Sequence, residues 1–385
     1  MRGVTSRIDF IDVTRILGIA LMYYGHVIES LMKLGSDSAA FHYKFIYSFH
    51  MPLFFILSGY LASRQPGYES WTWFLKKNGY SRLIPYALFS ILLLIPTFFI
   101  PSQSVGLDLS SSSGYIRGLF STFIGGFPVF NIPTWFLICI FVVELFHYLC
   151  QRSVLKIISP LALCALMYVL GTVAAWYATW LNPLKLLSQR EFIFPYLMVL
   201  EAFTGYAFYL FGLSLNSANY FGQFNRKNKQ LGLLLLSLAI VYLTYDLNQG
   251  MFILAAYDAV IMVSSSHGNP ILFPLTAIVG SLAVISLGLL LRRSKTLQFL
   301  GANTLVIFAL NGVFYHFIND PLARLVSPWI HHSDALTLCY GVIVTITSLL
   351  LTIPALILLN KYVPQLVGKP LKQGPIMRPL MDPSR

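Results

Sequence analysis

Arg15 and His26 lie in one apolar stretch, DVTRILGIALMYYGHVIE, which runs from Asp12 to Glu29. Eleven residues at 100° each make about three turns plus roughly 20°, so the two side chains share a helical face, separated by about 16 Å of rise. A guanidinium can hold an anionic group, and an imidazole can take a proton from a hydroxyl near neutral pH. Gly18 and Met22 fill the stripe between them, and Gly25 leaves room beside the histidine. A charge near a bilayer's centre costs about 2.5 to 3.5 kcal/mol on insertion scales, and function is the usual compensation. Two plainer roles stand beside this one. Arg15 can reach the inner interface or pair with Asp12, three residues back on the same face, and His26 can simply hydrogen-bond a neighbouring helix.

Other polar groups fall where apolar ones are expected. Glu144 and Glu201 sit inside hydrophobic runs, where each can pair with an arginine or bind acceptor hydroxyls. Glu29 follows His26 by three residues and is either a substrate ligand or a carboxylate at the outer interface. His50 can orient another group, and Ser58 can serve helix packing. Trp135, at the start of a run, is a boundary anchor or a stacking platform for a sugar. Lys76, Lys77 and Arg82 form a basic cluster that can bind phosphates together with Arg15, or can serve topology alone. His331 and His332 are expected to be exposed rather than metal ligands. The four cysteines lie in apolar stretches without metal-type spacing, so neither a metal site nor a disulfide framework is expected. No P-loop, Rossmann fingerprint or soluble-type Ser/His/Asp motif is present.

Membrane helices must position these groups. The 385 residues are 57% hydrophobic and only 10% charged, with a mean hydropathy of +0.71, against roughly 25% charged residues in soluble domains. Apolar runs near 20 residues predict about ten transmembrane helices, near 9–32, 44–63, 83–101, 134–150, 157–180, 194–216, 231–247, 271–291, 297–317 and 335–359. One set of alternate loops holds about nineteen Lys and Arg, from Arg2 and Arg7 to Lys369, Lys372 and Arg385. The other set holds six: Lys33, Lys44, Arg117, Lys185, Arg190 and Arg324. By the positive-inside rule the first set and both termini are cytoplasmic, which accounts for the net charge of +12 without nucleic acid. The fold class is therefore all-α integral membrane, multi-pass in the cell membrane. One domain is expected over 8–360, followed by a mobile cytoplasmic tail over 361–385. The outward segments 102–133 and 248–270 are long, and loops of that length in compact proteins tend to be functional.

The first span resembles the membrane acyltransferase 3 family, whose signature is a basic residue, ten residues, then histidine; Arg15 and His26 match it, preceded by Ile11-Asp12. SFHMPLFFILSGYL (Ser48 to Leu61) is similar to the family's second-span motif, especially in its fucose 4-O-acetylase-like branch. KKNGYSRLIPY (Lys76 to Tyr86) is similar to its basic inner loop, PTWFL (Pro133 to Leu137) to the start of a later span, and LGANTLVIFALNGVF (Leu300 to Phe314) to a late span. Asn311 departs from the pattern, standing where many members have histidine. The resemblance implies O-acyl transfer, acetyl foremost, from a cytoplasmic acyl-CoA to a sugar hydroxyl of a surface, secreted or lipid-linked glycan. His26 and Arg15 would be catalytic, and Arg15, Lys76, Lys77 and Arg82 would hold the acyl-CoA. Glu29, His50, Trp135, Glu144 and Glu201 are candidates for the glycan. No permanently bound cofactor is implied. Transfer of succinyl or another acyl group to a periplasmic glucan is the nearest alternative, and a glycan or small-solute transporter is the alternative from another class.

Overall fold

The computed structural model describes residues 8–62, 70–100, 103–104, 107–181, 198–224, 226–250, 252, 257–330 and 333–382. Lys185, Arg190, His331 and His332 lie outside them. The chain is built of α-helices, α1 (Asp9–Lys33), α2 (Asp37–Tyr47), α3 (His50–Ala62), α4 (Trp71–Asn78), α5 (Ile84–Phe99), α6 (Ser112–Phe120), α7 (Trp135–Arg152), α8 (Pro160–Leu181), α9 (Val199–Ser217), α10 (Lys227–Thr244), α11 (Leu272–Leu291), α12 (Lys295–Gly301), α13 (Thr304–Val313), α14 (Asn319–Ile330) and α15 (Asp334–Tyr362). The described strands are two short antiparallel ones, Gln103–Ser104 and Leu107–Asp108.

Among the described residues, seven helical stretches are long and apolar enough to cross a membrane: 9–33, 37–62, 71–99, 132–152, 272–291, 304–330 and 334–362. The protein is an all-α integral membrane protein. The sequence led to about ten spans; the other three segments correspond to α8, α9 and α10, of which α10 opens on Lys227 and Lys229 and α9 carries Glu201 in its first turn.

Two spans differ from their expected outlines for clear reasons. The second is interrupted at Ser48 and Phe49, between α2 and α3, where the Ser48 carbonyl can receive no N–H from Pro52 four residues on. The basic stretch expected as an inner loop is helical: α4 carries Lys76 and Lys77, and a π-turn over Gly79–Leu83 joins it to α5. Such wide turns add a residue to the helix and re-aim the side chains that follow. A second one, Phe314–Ile318, joins α13 to α14.

Helix α1 lies at the centre, packed against α2, α3, α11, α12, α13, α14 and α15. Ile11, Val13, Ile19, Met22, Val27 and Ile28 are buried along it. Without a hydrophobic drive between helices in lipid, close backbone approach does the packing. Helices α3 and α9 show this most sharply. A Cβ on Gly59 would stand 1.8 Å from the carbonyl oxygen of Tyr209, and one on Gly212 would stand 2.0 Å from that of Ile56. Helix α15 is peripheral and presents Leu350, Leu351 and Ile343 outward, as a lipid-facing helix should.

Within the segment after Lys361, expected to be a mobile tail, the turn at 364–367 packs against the helices, while most of 371–382 is exposed. A 3-10 turn at Pro364–Val367 buries Pro364, Gln365 and Val367, and the Gln365 amide donates to the Met377 carbonyl at 2.6 Å.

Candidate functional site

Two groups of polar residues meet α1, one at each end of the Arg15–His26 stripe. At the first, a cavity of about 260 Å³ is lined by Arg15 and Ile19 of α1, Arg82 of the π-turn, Asn303, Asn360 and Lys369, over an apolar floor that includes Phe54, Phe136 and Phe308. Ser58 faces the same space. Arg15 Nη1 is 3.6 Å from Asp12 Oδ1, so the plainer pairing expected for Arg15 is present and the guanidinium also lines the cavity. Arg82 Nη2 donates to Glu144 Oε1 at 2.7 Å, and Glu144 is buried. The carboxylate thereby fixes the guanidinium through a charge-assisted bond. Lys369 Nζ donates to Asn303 Oδ1 at 2.6 Å and also to Asn360 Oδ1. Three cations from distant parts of the chain therefore converge on one space.

The predicted basic cluster divides. Arg15 and Arg82 line the cavity; Lys76 is exposed, and Lys77 lies over the Trp73 ring at 4.9 Å. Neither lysine lines the cavity. Lys369, Asn303 and Asn360 were not among the predicted site residues. Lys369 counted only toward topology, and Asn303 stood unremarked within the motif LGANTLVIF.

At the other end, His26 Nδ1 and Asn311 Oδ1 are 2.5 Å apart. With the amide oxygen as acceptor, Nδ1 is the donor, and a neutral imidazole held this way carries its lone pair on Nε2. Asn311 is fully buried on α13. The residue that departs from the family pattern is thus the one that orients the imidazole. The rings of Tyr315 and Tyr47 stand 4.7 and 6.5 Å from the His26 ring. Tyr315 belongs to the second π-turn, so each polar group takes one residue from a wide turn.

Glu29 is buried one turn beyond His26. Its carboxylate is 2.9 Å from Lys33 Nζ and accepts from the phenols of Tyr315, Tyr257 and Tyr47 at 3.3, 3.4 and 3.5 Å. It ties α1 to α2, to Tyr257 and to the second π-turn, and so holds the two rings that border His26. His50 donates from Nδ1 to the Ile46 carbonyl at 3.1 Å and packs edge-on against Tyr47 at 4.6 Å, buttressing the same ring. His316, not singled out by the sequence, accepts from the Ile132 N–H at 3.2 Å.

The remaining predicted residues stand apart from the cavity. Trp135, read from the sequence as a boundary anchor or a stacking platform, is buried in the core. Glu201 Oε1 accepts from the Ser265 hydroxyl at 3.1 Å and so fastens α9 to the segment 257–267. In that segment burial holds the His267 imidazole down to about 4, because the cation cannot be solvated there, and its ring stacks on Phe273 at 5.0 Å.

The profile of a family described as an acyltransferase domain matches residues 8–357. The Nodulation protein NolL of Mesorhizobium japonicum is 31% identical over 116 residues, which is 28% of this chain and 31% of that protein. The alignment therefore spans about a third of that relative's length. No solved structure matches the chain.

Proposed function

The chain belongs to the acyltransferase 3 family of membrane transferases, and from that premise we propose that it moves an acyl group, acetyl foremost, from acyl-CoA to a sugar hydroxyl of a surface or secreted glycan. One observation carries the reading: the helix that puts Arg15 into a cationic cavity also presents His26, whose Nδ1 is held by Asn311.

The polyanionic end of the donor occupies the cavity, and its thioester arm follows the stripe past Ile19 and Met22 toward His26. By the positive-inside rule this cavity faces the cytoplasm, where acyl-CoA is found. His26 Nε2 takes the proton of the sugar hydroxyl as its oxygen attacks the thioester carbonyl carbon. The carbon–sulfur bond then breaks, the ester forms, and the departing thiolate takes the proton from the imidazolium. General-base catalysis of this kind contributes about 10²- to 10⁴-fold. Tyr47 and Tyr315 border the imidazole and offer faces on which a sugar ring can rest.

The test uses purified protein in sealed vesicles, with acetyl-CoA on the side of the α1 N-terminus and glycan on the other. Acetylated glycan should form, and unmodified glycan should not cross. Transport of glycan without acetylation would overturn the reading in favour of a transporter. Product formed with both substrates confined to the inner side would overturn the transmembrane geometry but not the chemistry.

A further inference from the structure

The cavity has a wall that α1 and the π-turn do not provide. Val367, Gly368 and Lys369, all beyond the last helix, line it together with Arg15 and Arg82. Their placement is fixed by local structure. The Lys369 N–H donates to the Pro364 carbonyl at 3.1 Å, closing the turn, and the Leu380 N–H returns to the Pro370 carbonyl at 2.8 Å. Gly368 has φ of 84°, and a Cβ there would meet Leu305 Cδ1 at 2.8 Å and the Ser81 carbonyl at 3.2 Å. Only glycine fits both demands, and the residue after it is the one whose ammonium is pinned by Asn303 and Asn360. Those amides come from the start of α13 and the end of α15, so the lysine ties three elements at the mouth.

We infer that the segment Pro364–Lys369 is part of the donor site and that Lys369 is a specificity residue, binding a phosphate of the donor's nucleotide end. This rests on the donor reading above. The Lys369 ammonium donates to the Asn303 and Asn360 amide oxygens at the cavity wall, which fixes its place in the lining beside Arg15 and Arg82. A compact ammonium on a flexible stem acts on phosphate as a point charge, so its contribution should appear in affinity rather than in turnover.

The experiment compares acetyl-CoA with S-acetyl-pantetheine, which has the same thioester arm and no phosphate, on the full-length protein in vesicles. The wild type should show a lower KM for acetyl-CoA. Lys369→Gln should raise that KM about 10- to 100-fold, the range expected for one contact to a charged group, and leave the KM for S-acetyl-pantetheine within about twofold. Lys369→Arg should recover most of the loss, and Lys372→Gln, on the same segment but exposed, should change neither KM. Undiminished preference for acetyl-CoA in Lys369→Gln would overturn the assignment of Lys369 while sparing the donor reading. Equal loss with both donors would reduce Lys369 to a structural tie. A wild type that treats the two donors alike would overturn the donor reading itself, and this inference with it.

Discussion

Replacing Asn311 with leucine removes the acceptor that orients His26 and keeps the branched shape of the side chain. The lost contact is the 2.5 Å bond from Nδ1, and Asn311 is fully buried, so water does not replace it. Leaving a buried donor unpaired costs about 1 to 3 kcal/mol. Here the cost falls on the barrier, because the reaction needs Nε2 unprotonated and aimed. At 1.36 kcal/mol per tenfold, kcat should fall about 5- to 160-fold. KM for acyl-CoA should hold, since Asn311 does not line the cavity. Folding should be little affected, because Asn311 Nδ2 is itself a buried donor without a partner, and leucine removes it. Asn311→Asp keeps an acceptor oxygen and should lose less than leucine. Initial rates of acetyl transfer in vesicles, with thermal melting as a folding control, make the comparison. A leucine variant with wild-type kcat would refute the orienting role.

Arg82→Leu leaves the Glu144 carboxylate buried without its partner and should destabilise the protein by about 3 kcal/mol; a Leu at both positions should recover the melting temperature but not the affinity for acyl-CoA, and recovery of both would remove Arg82 from the donor site. Gly59→Ala forces α3 away from the Tyr209 carbonyl and should cost about 1 to 3 kcal/mol, read as a lower melting temperature in detergent; an unchanged melt would show that the two helices have slack. Lys44 is buried and pairs with Asp246 at 3.0 Å and Asp258 at 2.7 Å. Lys44→Met should therefore speed proteolysis within 257–267, and an unchanged cleavage rate would mean that segment is held by its other contacts.

Much of the framework is legible in composition and period. A helix that must cross lipid satisfies its own backbone, so hydropathy alone places it, and the shared face of Arg15 and His26 follows from helical arithmetic. Glu144 reads in the sequence as a carboxylate that either pairs with an arginine or binds acceptor hydroxyls; that Arg82, 62 residues away, holds it depends on the packing of α7 against the π-turn. Partners at long separation are what the sequence hid. Asn311, 285 residues from His26, reads in the sequence as a departure from a motif and not as the group that holds the imidazole. Lys369 reads there like Lys76 and Lys77, and the turn at Gly368 with the amides of Asn303 and Asn360 sets it apart. Trp135 is amphipathic and stood at a span boundary, which suits a membrane interface; its burial follows from neighbouring helices that no local pattern reveals.

The central claim is that His26 is the base for acyl transfer. The most direct measurement is the rate of labelled acetyl transfer from acetyl-CoA to glycan by His26→Gln and by wild type, at equal amounts of folded protein in the same vesicles. Glutamine can keep a polar contact to Asn311 but has no basic nitrogen. The account predicts a loss of at least about 10²-fold in transfer with binding of acetyl-CoA retained. Transfer by His26→Gln at a rate near that of the wild type would contradict it.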